Sequence, residues 1–551
     1  MDIRSLLCVT TVFLIISFKA TAEVKLGRLI TEQKNNDSTS FHESKVEKKD
    51  VYSKAKDTSV TDNEFPQETP CYLIDELVIE NDFLNNRGIR NIQHQVAGRC
   101  LGVKGLEKTA VLLQDYLIKS GYVTTRVDTP SQDLLSKKLI LNVIPGRISN
   151  IIITDNNINK SLLPFGKGDI LNIRDIEQGL ENIQRTPGVD VKIKILPGDR
   201  NGTSVVEINP QRFKNWNLRT SYNNFGDEST GRQLVGAVGY LYNFARISDL
   251  FYLAGTSSQT GGYKNLSTHY SFPVGYSEFS IFYSNSKSTQ GIDIGKYNFD
   301  YVGKTEYLSL KGYRMLRRDA NSKLSAFAEI IRRKYNYSLG GEELVLQKRD
   351  MGNLRLGLNY KQNFTGSTLD SSISWQRFMT GLGGTKTPDM NTGAVSSRSQ
   401  IVNLNVNYVN YVNWLTSLPV QAYYDMNLGV QYSPDKLTLQ DKFSIANRWS
   451  VRGFENSGGI DGDNGFYVQN TLNIITGYRN SIAYVGTDYG QIVGDVSAQD
   501  VDGKKVMGGV IGVKGAVKAL EYDLSLTSPF LYPDKMDVDK YIINFNIGYQ
   551  L

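Results

Sequence analysis

The sequence predicts a β-barrel membrane protein of about sixteen antiparallel strands, preceded by two small α+β modules. Three observations support this prediction. Apolar and polar residues alternate from about Asn215 to the last residue. A pattern of strands and helices occurs twice between Pro70 and Pro210. The 551 residues also include 32 tyrosines and 50 glycines but only 14 prolines, which favours many strands over a helical enzyme.

The N-terminus has the features of a removable secretion signal. Arg4 supplies a positive charge, Leu6 to Phe18 is apolar, and Ala20 and Ala22 match the small-residue pattern of a cleavage site. Cleavage would remove residues 1–22. The alternative is an uncleaved membrane anchor, but the apolar run falls short of the roughly 20 residues that span a bilayer.

The segment 23–69 is polar and rich in Lys, Asp, Ser, Thr and Asn, so most of it is predicted to be a linker. No sustained apolar period follows Ile30. Only Val24 to Gln33 has apolar residues that could share one face, which predicts a short helix there.

The cysteines agree with export. Cys8 lies in the signal, which leaves Cys71 and Cys100 as an even pair in a chain sent to an oxidising compartment. A disulfide between them would close a loop of about 30 residues and stabilise the fold by about 3 to 4 kcal/mol in the chain-entropy model. The alternative is two separate buried thiols.

The region before the barrel is predicted to hold two modules, 70–146 and 147–210, each long enough for a small α+β domain. The predicted order in each is one strand, two helices and two strands. No Gly-rich phosphate loop follows a strand here, which favours interaction modules over a dinucleotide-binding fold. The first module is predicted to have strands at 72–80, 122–127 and 138–144 and helices at 89–97 and 104–120. The second is predicted to have strands at 148–154, 191–196 and 203–208 and a helix at 173–185.

The segment 211–551 alternates with a period of two. A soluble β-sandwich shows such alternation locally, but about 340 residues of it, with Gly-, Asn- and Ser-rich loops, is typical of an outer-membrane barrel. At about 20 residues per strand and connection, the segment holds about sixteen strands. The terminal run shows the pattern most clearly, with apolar side chains on one face at Tyr541, Ile543, Phe545, Ile547 and Tyr549.

Charge and motifs argue against several other functions. The formal net charge is +6, with no basic block and no zinc-like Cys/His cluster, so nucleic acid is not an expected partner. The three histidines, His42, His94 and His269, lie in three different regions, and no metal site is expected. No nucleophile elbow is present and no cofactor is expected, so the chain is predicted not to be an enzyme.

One long loop is predicted within the barrel region, at residues 448–467, and it is not expected to be a strand. Its glycines and Asn/Asp residues suit tight turns. The loop contains the run Val451-Arg452-Gly453-Phe454, whose arginine carries a permanent charge and five donors. Taken alone this is a weak signal, because an arginine in such a loop is most often a solvated surface group.

Both modules are similar to the periplasmic POTRA modules of one known family. The segments of the first module that carry the likeness are 121–127, 130–134 and 143–148. Those of the second are 172–185, 195–198 and 202–204. The chain therefore resembles the outer-membrane transporters of two-partner secretion, the haemolysin and filamentous-haemagglutinin exporter family, which is related to the Omp85 assembly proteins.

Two further motifs extend the resemblance into the barrel. Residues 451–454 match the tip of the family's sixth extracellular loop, which folds back into the lumen. Gly486, Asp488 and Gly490 match its barrel-wall motif, Gly-x-Asp-x-Gly. The resemblance implies that Arg452 enters the lumen and pairs with Asp488, so that loop and wall form a gating pair.

The resemblance also bears on the N-terminal half. Val24 to Gln33 is a short counterpart of the helix that plugs the pore in the family. The positions of Cys71 and Cys100 resemble those in transporters of contact-dependent inhibition toxins and adhesins.

The function that the resemblance implies is an outer-membrane translocation pore, with its modules in the periplasm. The modules would recognise an unfolded exoprotein, and the pore would secrete it to the cell surface without nucleotide hydrolysis. Expected partners are a large secreted exoprotein with an N-terminal secretion domain, outer-membrane lipids and the barrel assembly machinery. The alternative is a factor that inserts other barrels, since that branch shares modules and loop motif. A TonB-type nutrient receptor would need a folded plug domain in the region between residues 23 and 210. The duplicated pattern of strands and helices there argues against this class.

Overall fold

The computed structural model describes residues 29–46, 50–52, 64–155, 158–212, 214–294, 296–412, 421–478, 481–496 and 503–551. Within these ranges the chain forms an N-terminal helix (α1, 29–44), two α+β modules and a closed β-barrel. No helix among them is long and apolar enough to cross a bilayer. The predicted cleavage residues Ala20 and Ala22 lie outside the described residues.

The first module is a three-stranded sheet covered by two helices. Its elements are β1 (Tyr72–Ile74), β2 (Glu76–Glu80), α2 (Arg87–Val96), β3 (Arg99–Leu101), α3 (Val103–Lys119), β4 (Arg126–Asp128) and β5 (Lys138–Ile144). β2 runs parallel to β5, and β4 runs antiparallel to it. Buried side chains of both helices and the sheet, among them Ile89, Leu113 and Leu139, form one core.

Two predicted strands of this module are wrong in detail. The strand predicted at 72–80 is two strands in different sheets, because the chain bends at Asp75. The strand predicted at 122–127 is replaced over most of its length by a turn. The N–H of Tyr122 donates to the carbonyl of Leu117 at 2.9 Å, so these residues complete the end of α3.

Cys71 and Cys100 form a disulfide, as the even pair of cysteines predicts. Cys100 lies in β3, opposite Leu73 of β1. The bond therefore reinforces a two-stranded ribbon that is separate from the main sheet of the module. The alternative of two separate thiols is wrong.

Replacing both cysteines by serine is expected to lower the free energy of unfolding of the first module by about 3 kcal/mol, because the cross-link restricts the unfolded chain. Protease sensitivity of this module in the full-length protein, measured over a urea series, gives the difference. Ser131→Ala, at an exposed serine of the same module, is the matched control. Detection of a free thiol at either cysteine in exported protein would contradict the prediction.

The described residues of the second module form one α-helix. The elements of the module are β6 (Arg147–Ile153), a 3₁₀ turn (Lys160–Leu162), α4 (Ile173–Gln184), β7 (Val189–Pro197) and β8 (Thr203–Arg212). β6 lies parallel and β7 antiparallel to the central strand β8. The first of the two predicted helices is absent from the described part of the module. Pro164, Gly166 and Gly168 lie in that segment and do not support a helix.

The barrel is closed, because β26 pairs with β9. Its strands are β9 (Trp216–Asn223), β10 (Leu234–Tyr242), β11 (Leu250–Ser258), β12 (Tyr263–Val274), β13 (Ser277–Ile294), β14 (Tyr297–Arg318), β15 (Ser322–Leu339), β16 (Glu342–Glu343), β17 (Arg349–Phe364), β18 (Ser367–Phe378), β19 (Gln400–Tyr411), β20 (Gln421–Tyr432), β21 (Phe443–Ile445), β22 (Ile460–Ile475), β23 (Ile482–Val496), β24 (Lys505–Val517), β25 (Leu520–Leu531) and β26 (Ile542–Gln550). Since β16 and β21 are only two and three residues long, sixteen strands form the wall, which confirms the prediction.

Short helical turns lie outside the sheets. They are 3₁₀ turns at Leu134–Ser136, Val345–Gln347 and Thr380–Leu382, and the helix α5 (Pro388–Asn391). The wall itself has an apolar outer face, with exposed side chains that include Leu253, Leu266, Ile373, Ile511 and Leu524. Alternation with period two places the intervening, largely polar residues toward the lumen.

Helix α1 lies inside the barrel. The amide of Gln33 donates to the hydroxyl of Thr305 in β14 at 2.9 Å. At the other end of the helix, Ser44 donates to the hydroxyl of Tyr252 in β11 at 3.3 Å. The helix thus continues past Gln33, where the sequence predicted its end, into the segment predicted as linker. It does so because its polar side chains hydrogen-bond to a polar lumen. Such a helix shows no apolar periodicity in the sequence.

Candidate functional site

The connection between β20 and β22, residues 433–459, folds against the inner side of the wall. Val451 and Phe454 are 0% and 1% exposed. They pack in an apolar cluster with Ile492 of β23 and Val506 of β24. These contacts hold the tip of the loop at one place on the wall.

The predicted loop 448–467 is too long at its C-terminal end. Residues 460–467 belong to β22, which pairs with β23. The glycine- and Asp/Asn-rich run at Gly462 to Gly465 misled the prediction, because the ladder accommodates it through a register shift between Gly462 and Asn464.

Arg452 and Asp488 form a two-pronged ion pair. Nε of Arg452 donates to Oδ2 of Asp488, and Nη2 donates to Oδ1, each at 2.6 Å. The backbone N–H of Arg452 also donates to Oδ2, at 3.0 Å. The side chains are 18% and 0% exposed, so the carboxylate is withdrawn from water. Arg452 Nη2 further donates to the hydroxyl of Thr471 in β22 at 3.0 Å, a partner that the sequence did not suggest.

Three glycines of the wall leave room for the loop tip. A Cβ on Gly486 would lie 2.8 Å from Nη2 of Arg452. A Cβ on Gly490 would lie 2.8 Å from Cγ2 of Val451. A Cβ on Gly508 of β24 would lie 1.9 Å from the carbonyl oxygen of Arg452. Gly508 was missed in the sequence, although a glycine inside a strand often marks a close backbone approach.

The turn that follows the arginine depends on Gly453 and Glu455. Gly453 has φ +102°, and a Cβ there would lie 2.6 Å from the carbonyl carbon of Ser528. Glu455 accepts a hydrogen bond from the N–H of Gly453 and another from the hydroxyl of Thr527, both at 3.1 Å. The turn is therefore bonded to β25 on one side while the arginine is bonded to β23 on the other.

Helix α1 contacts the same loop. The His42 ring stacks on Trp449 with ring centroids 4.0 Å apart. The indole N–H of Trp449 donates to the hydroxyl of Thr39 at 3.3 Å. Nζ of Lys34 donates to the carbonyl of Lys442 at 3.0 Å. Loop and helix therefore fill the lumen together and share direct contacts.

The side chains that α1 buries are mostly polar. Ile30 adds an apolar contact with tyrosines of β14 and β15. The buried polar residues of the helix, each at most 5% exposed, are Thr31, Glu32, Gln33, Asn36, Thr39, Ser40 and Ser44.

The other residues singled out in the sequence lie elsewhere. Cys71 and Cys100 are in the first module. His94 is on α2, and His269 stacks on Tyr252 at a centroid distance of 5.2 Å. These histidines and His42 are not brought together.

The profile of one protein family covers most of the barrel. It is described as haemolysin secretion/activation protein ShlB/FhaC/HecB, and it matches residues 202–515. The chain belongs to this family. Two POTRA domain profiles match the modules, a ShlB-type one at residues 74–146 and a second at 147–197.

Individual relatives agree with the family match. The outer membrane transporter CdiB-2 of Burkholderia pseudomallei (strain 1026b) is 29% identical over 514 residues, which cover 88% of this chain and 87% of that protein. The structure of CdiB from Escherichia coli aligns with TM-score 0.80 at 22% identity, over 94% of this chain and 98% of its own. CdiB from Acinetobacter baumannii aligns with TM-score 0.81 at 23% identity, over 96% and 99%. The likeness to both structures shows the shared fold.

Membership confirms the predicted class and location. The family consists of two-partner secretion transporters of the Omp85 superfamily, not of enzymes, and by its description it acts in haemolysin secretion. The barrel lies in the outer membrane and the two modules lie in the periplasm. The match favours secretion over the alternative of a barrel assembly factor.

The second module is bonded to the periplasmic rim of the barrel through buried charges. Arg318, at the end of β14, pairs with Glu177 at 3.3 Å and Glu181 at 2.8 Å, both on α4. Lys323, at the start of β15, pairs with Glu181 at 2.6 Å and with Asp50 at 2.8 Å. The segment that follows α1 therefore meets the module and the barrel at one point.

A second set of contacts joins α4 to the turn between β12 and β13. The hydroxyl of Tyr276 donates to Asp175. Burial in this contact raises the pKa of the Asp175 carboxyl. Arg185, just after α4, pairs with Glu278 at 3.0 Å. The module is thus held to the barrel at two places along one helix.

Proposed function

We propose that this chain is the outer-membrane pore for one exoprotein, which its two modules recognise unfolded in the periplasm and its lumen passes to the cell surface. The observation that carries the proposal is that the lumen holds a whole α-helix through polar contacts. A helix with its side chains is about 10–12 Å wide, so a lumen that holds one has room for an extended chain. The barrel assembly machinery would insert the pore, and outer-membrane lipids would surround it.

The gate consists of two parts that leave together. Arg452 and Asp488 hold the loop against the wall, Val451 and Phe454 pack beside them, and α1 rests against the loop through Trp449. A passing chain displaces the helix and shifts the loop. Both parts then leave the wall by breaking hydrogen bonds, while the barrel stays folded.

The direction of transport comes from the cargo and not from a nucleotide. The sequence contains no phosphate-binding loop. Each exported segment that folds outside buries surface and cannot slide back. The energy of export is therefore the folding free energy of the exoprotein.

Recognition takes place at an edge strand of the second module. β7 lies at the edge of its sheet, with β8 as its neighbour, and it is nine residues long. Its outward side chains include the exposed Lys192 and Lys194. An extended peptide can add to such an edge, where backbone hydrogen bonds give affinity and side chains give selectivity.

Replacing Lys194 by proline in the full-length transporter is expected to lower secretion of its exoprotein by about tenfold, because proline removes a backbone donor and disturbs the edge, a loss of about 1.4 kcal/mol. Secreted and cell-associated exoprotein are measured in the same culture. Lys194→Ala is the control, since it removes the charge and keeps the backbone. Equal secretion by the proline and alanine variants would refute recognition at β7.

A further inference from the structure

A cavity of about 660 Å³ lies where the second module meets the barrel. Its walls come from the residue Asp155 after β6, the end of β8, the start of β9, the end of β10 and the turn between β10 and β11. Its volume is in the range of small-molecule sites, about 300–1,000 Å³. The lining residues that matter are Asp155, Arg212, Lys214, Trp216, Phe244 and Arg246.

The cavity opens toward the lipid-facing side of the barrel. Trp216 and Leu241 are opposite each other on β9 and β10, and they are 52% and 46% exposed. Tyr240, next to Leu241, points to the lumen, where its hydroxyl donates to the carbonyl of Ser44 on α1. Leu241 and Trp216 therefore face outward. Phe244, in the following turn, is 61% exposed, and its ring lies 5.7 Å from that of Tyr270, which is on the same face of the sheet as Leu241.

The lining of the cavity has more basic than acidic side chains, and one of the bases, Lys214, donates from Nζ to the carbonyl oxygen of Leu551. Arg212, Lys214 and Arg246 line the cavity, against one acid, Asp155. The Nζ of Lys214 lies 5.8 Å from the centre of the Trp216 ring. Cationic groups thus lie next to an apolar rim.

The two terminal nitrogens of Arg212 lack a hydrogen-bond partner among the described residues. Both nitrogens are buried. Burial lowers the pKa of this guanidinium, and the nearby carboxylates of Asp155 and Asp249 offset only part of the effect. An unbonded buried charge of this kind is costly unless a ligand compensates it.

We propose that this cavity binds the headgroup of an anionic glycerophospholipid from the periplasmic leaflet of the outer membrane. The phosphate would accept hydrogen bonds from Arg212, whose planar fork matches its oxygens, and from Arg246. The acyl chains would lie along Trp216, Leu241 and Phe244, where aromatic rings commonly mark the membrane interface. Basic pockets beside membrane-spanning segments bind anionic headgroups by the same chemistry.

The site lies where the second module joins the barrel. Arg212 ends the last strand of the second module, Trp216 begins the barrel, and the N–H of Asn159 in the module donates to the carbonyl of Arg246 in the barrel turn at 3.2 Å. A bound lipid would therefore fix the second module against the barrel at the membrane surface. This contact would be separate from the ion pairs that α4 makes with the barrel.

The test compares lipid retention by the full-length protein and by Arg212→Gln/Arg246→Gln. Each is purified from nanodiscs that contain equal amounts of phosphatidylglycerol and phosphatidylcholine, and the bound lipid is identified by native mass spectrometry. The parent chain is expected to retain about tenfold more phosphatidylglycerol than phosphatidylcholine, which corresponds to a difference in binding free energy of about 1.4 kcal/mol. The double variant is expected to show a ratio near one.

The control is Lys167→Gln/Arg200→Gln, which removes two exposed charges from the same module away from the cavity. It should keep the preference. Arg212→Lys should keep part of it, and heat-modified migration in gel electrophoresis verifies a folded barrel in every variant. No preference in the parent chain, or the same preference in the Arg212→Gln/Arg246→Gln variant, would overturn the proposal. Displacement of the lipid by millimolar inorganic phosphate would assign the site to a free anion instead of a lipid.

Discussion

Arg452→Ala is expected to cut secretion of the exoprotein by a hundredfold or more while the barrel still inserts. Removing the arginine leaves the carboxylate of Asp488, 0% exposed, without its charged partner. Loss of one member of a buried pair costs roughly 3 to 5 kcal/mol, which is enough to release the loop tip from its place on the wall. Insertion survives because the strand ladders of the wall do not depend on the pair.

Asp488→Ala should have a similar effect, and the double variant should be little worse than either single one. Such non-additivity is the mark of a shared interaction. Secretion and single-channel conductance across a planar bilayer are measured on all three variants.

Arg219→Ala is the matched control for this pair. Arg219 also forms an ion pair in the lumen, with Glu521 at 2.9 Å, but the two side chains are 31% and 42% exposed. A hydrated pair of this kind contributes about 0 to 1 kcal/mol, so secretion should change little. Unchanged export and conductance in Arg452→Ala would remove the loop from the gating mechanism.

Deletion of residues 23–46, which contain α1, is expected to raise the conductance of the pore several-fold and to leave the barrel folded. The helix occupies a cylinder about 10–12 Å wide inside the lumen. Every wall strand from β9 to β26 pairs with its neighbours without help from the helix. The remaining conductance is limited by the loop, which Arg452 still holds.

Planar bilayer recordings on the deletion and the parent chain test this expectation. Cys71→Ser/Cys100→Ser serves as the control, because it alters the first module and no group in the lumen. A deletion variant with parental conductance would show that α1 does not restrict the pore.

The barrel could be predicted from sequence because every strand of its wall follows the same pattern. A wall with lipid on one side and water on the other forces apolar and polar residues to alternate. Shared apolar residues predicted a helix only as far as Gln33, and no such pattern marks the rest of α1. Its buried residues, such as Asn36 and Ser40, are polar because the lumen around them is polar, so the helix has the composition of a linker.

The gating pair shows a second limit. No local property of Arg452 distinguishes it from a solvated loop residue, and only the resemblance of the whole motif set pointed to Asp488. No family motif pointed to the ion pairs at the periplasmic rim. Arg318 and Glu177 are separated by 141 residues, and each alone has the appearance of a surface charge. Long-range charge pairing depends on the final geometry, which no short window of sequence contains.

The polar surroundings of α1 have a consequence for the speed of export. A hydrogen bond between the helix and the wall contributes only about 0.5–1.5 kcal/mol net, because water replaces either partner when the bond breaks. An extended cargo chain carries the same kinds of donors and acceptors as the helix it displaces. Its passage therefore exchanges weak bonds for others of similar strength, and no single contact traps it for long. A lumen lined in this way offers little friction to any polypeptide, so the choice of cargo has to be made before the chain enters it.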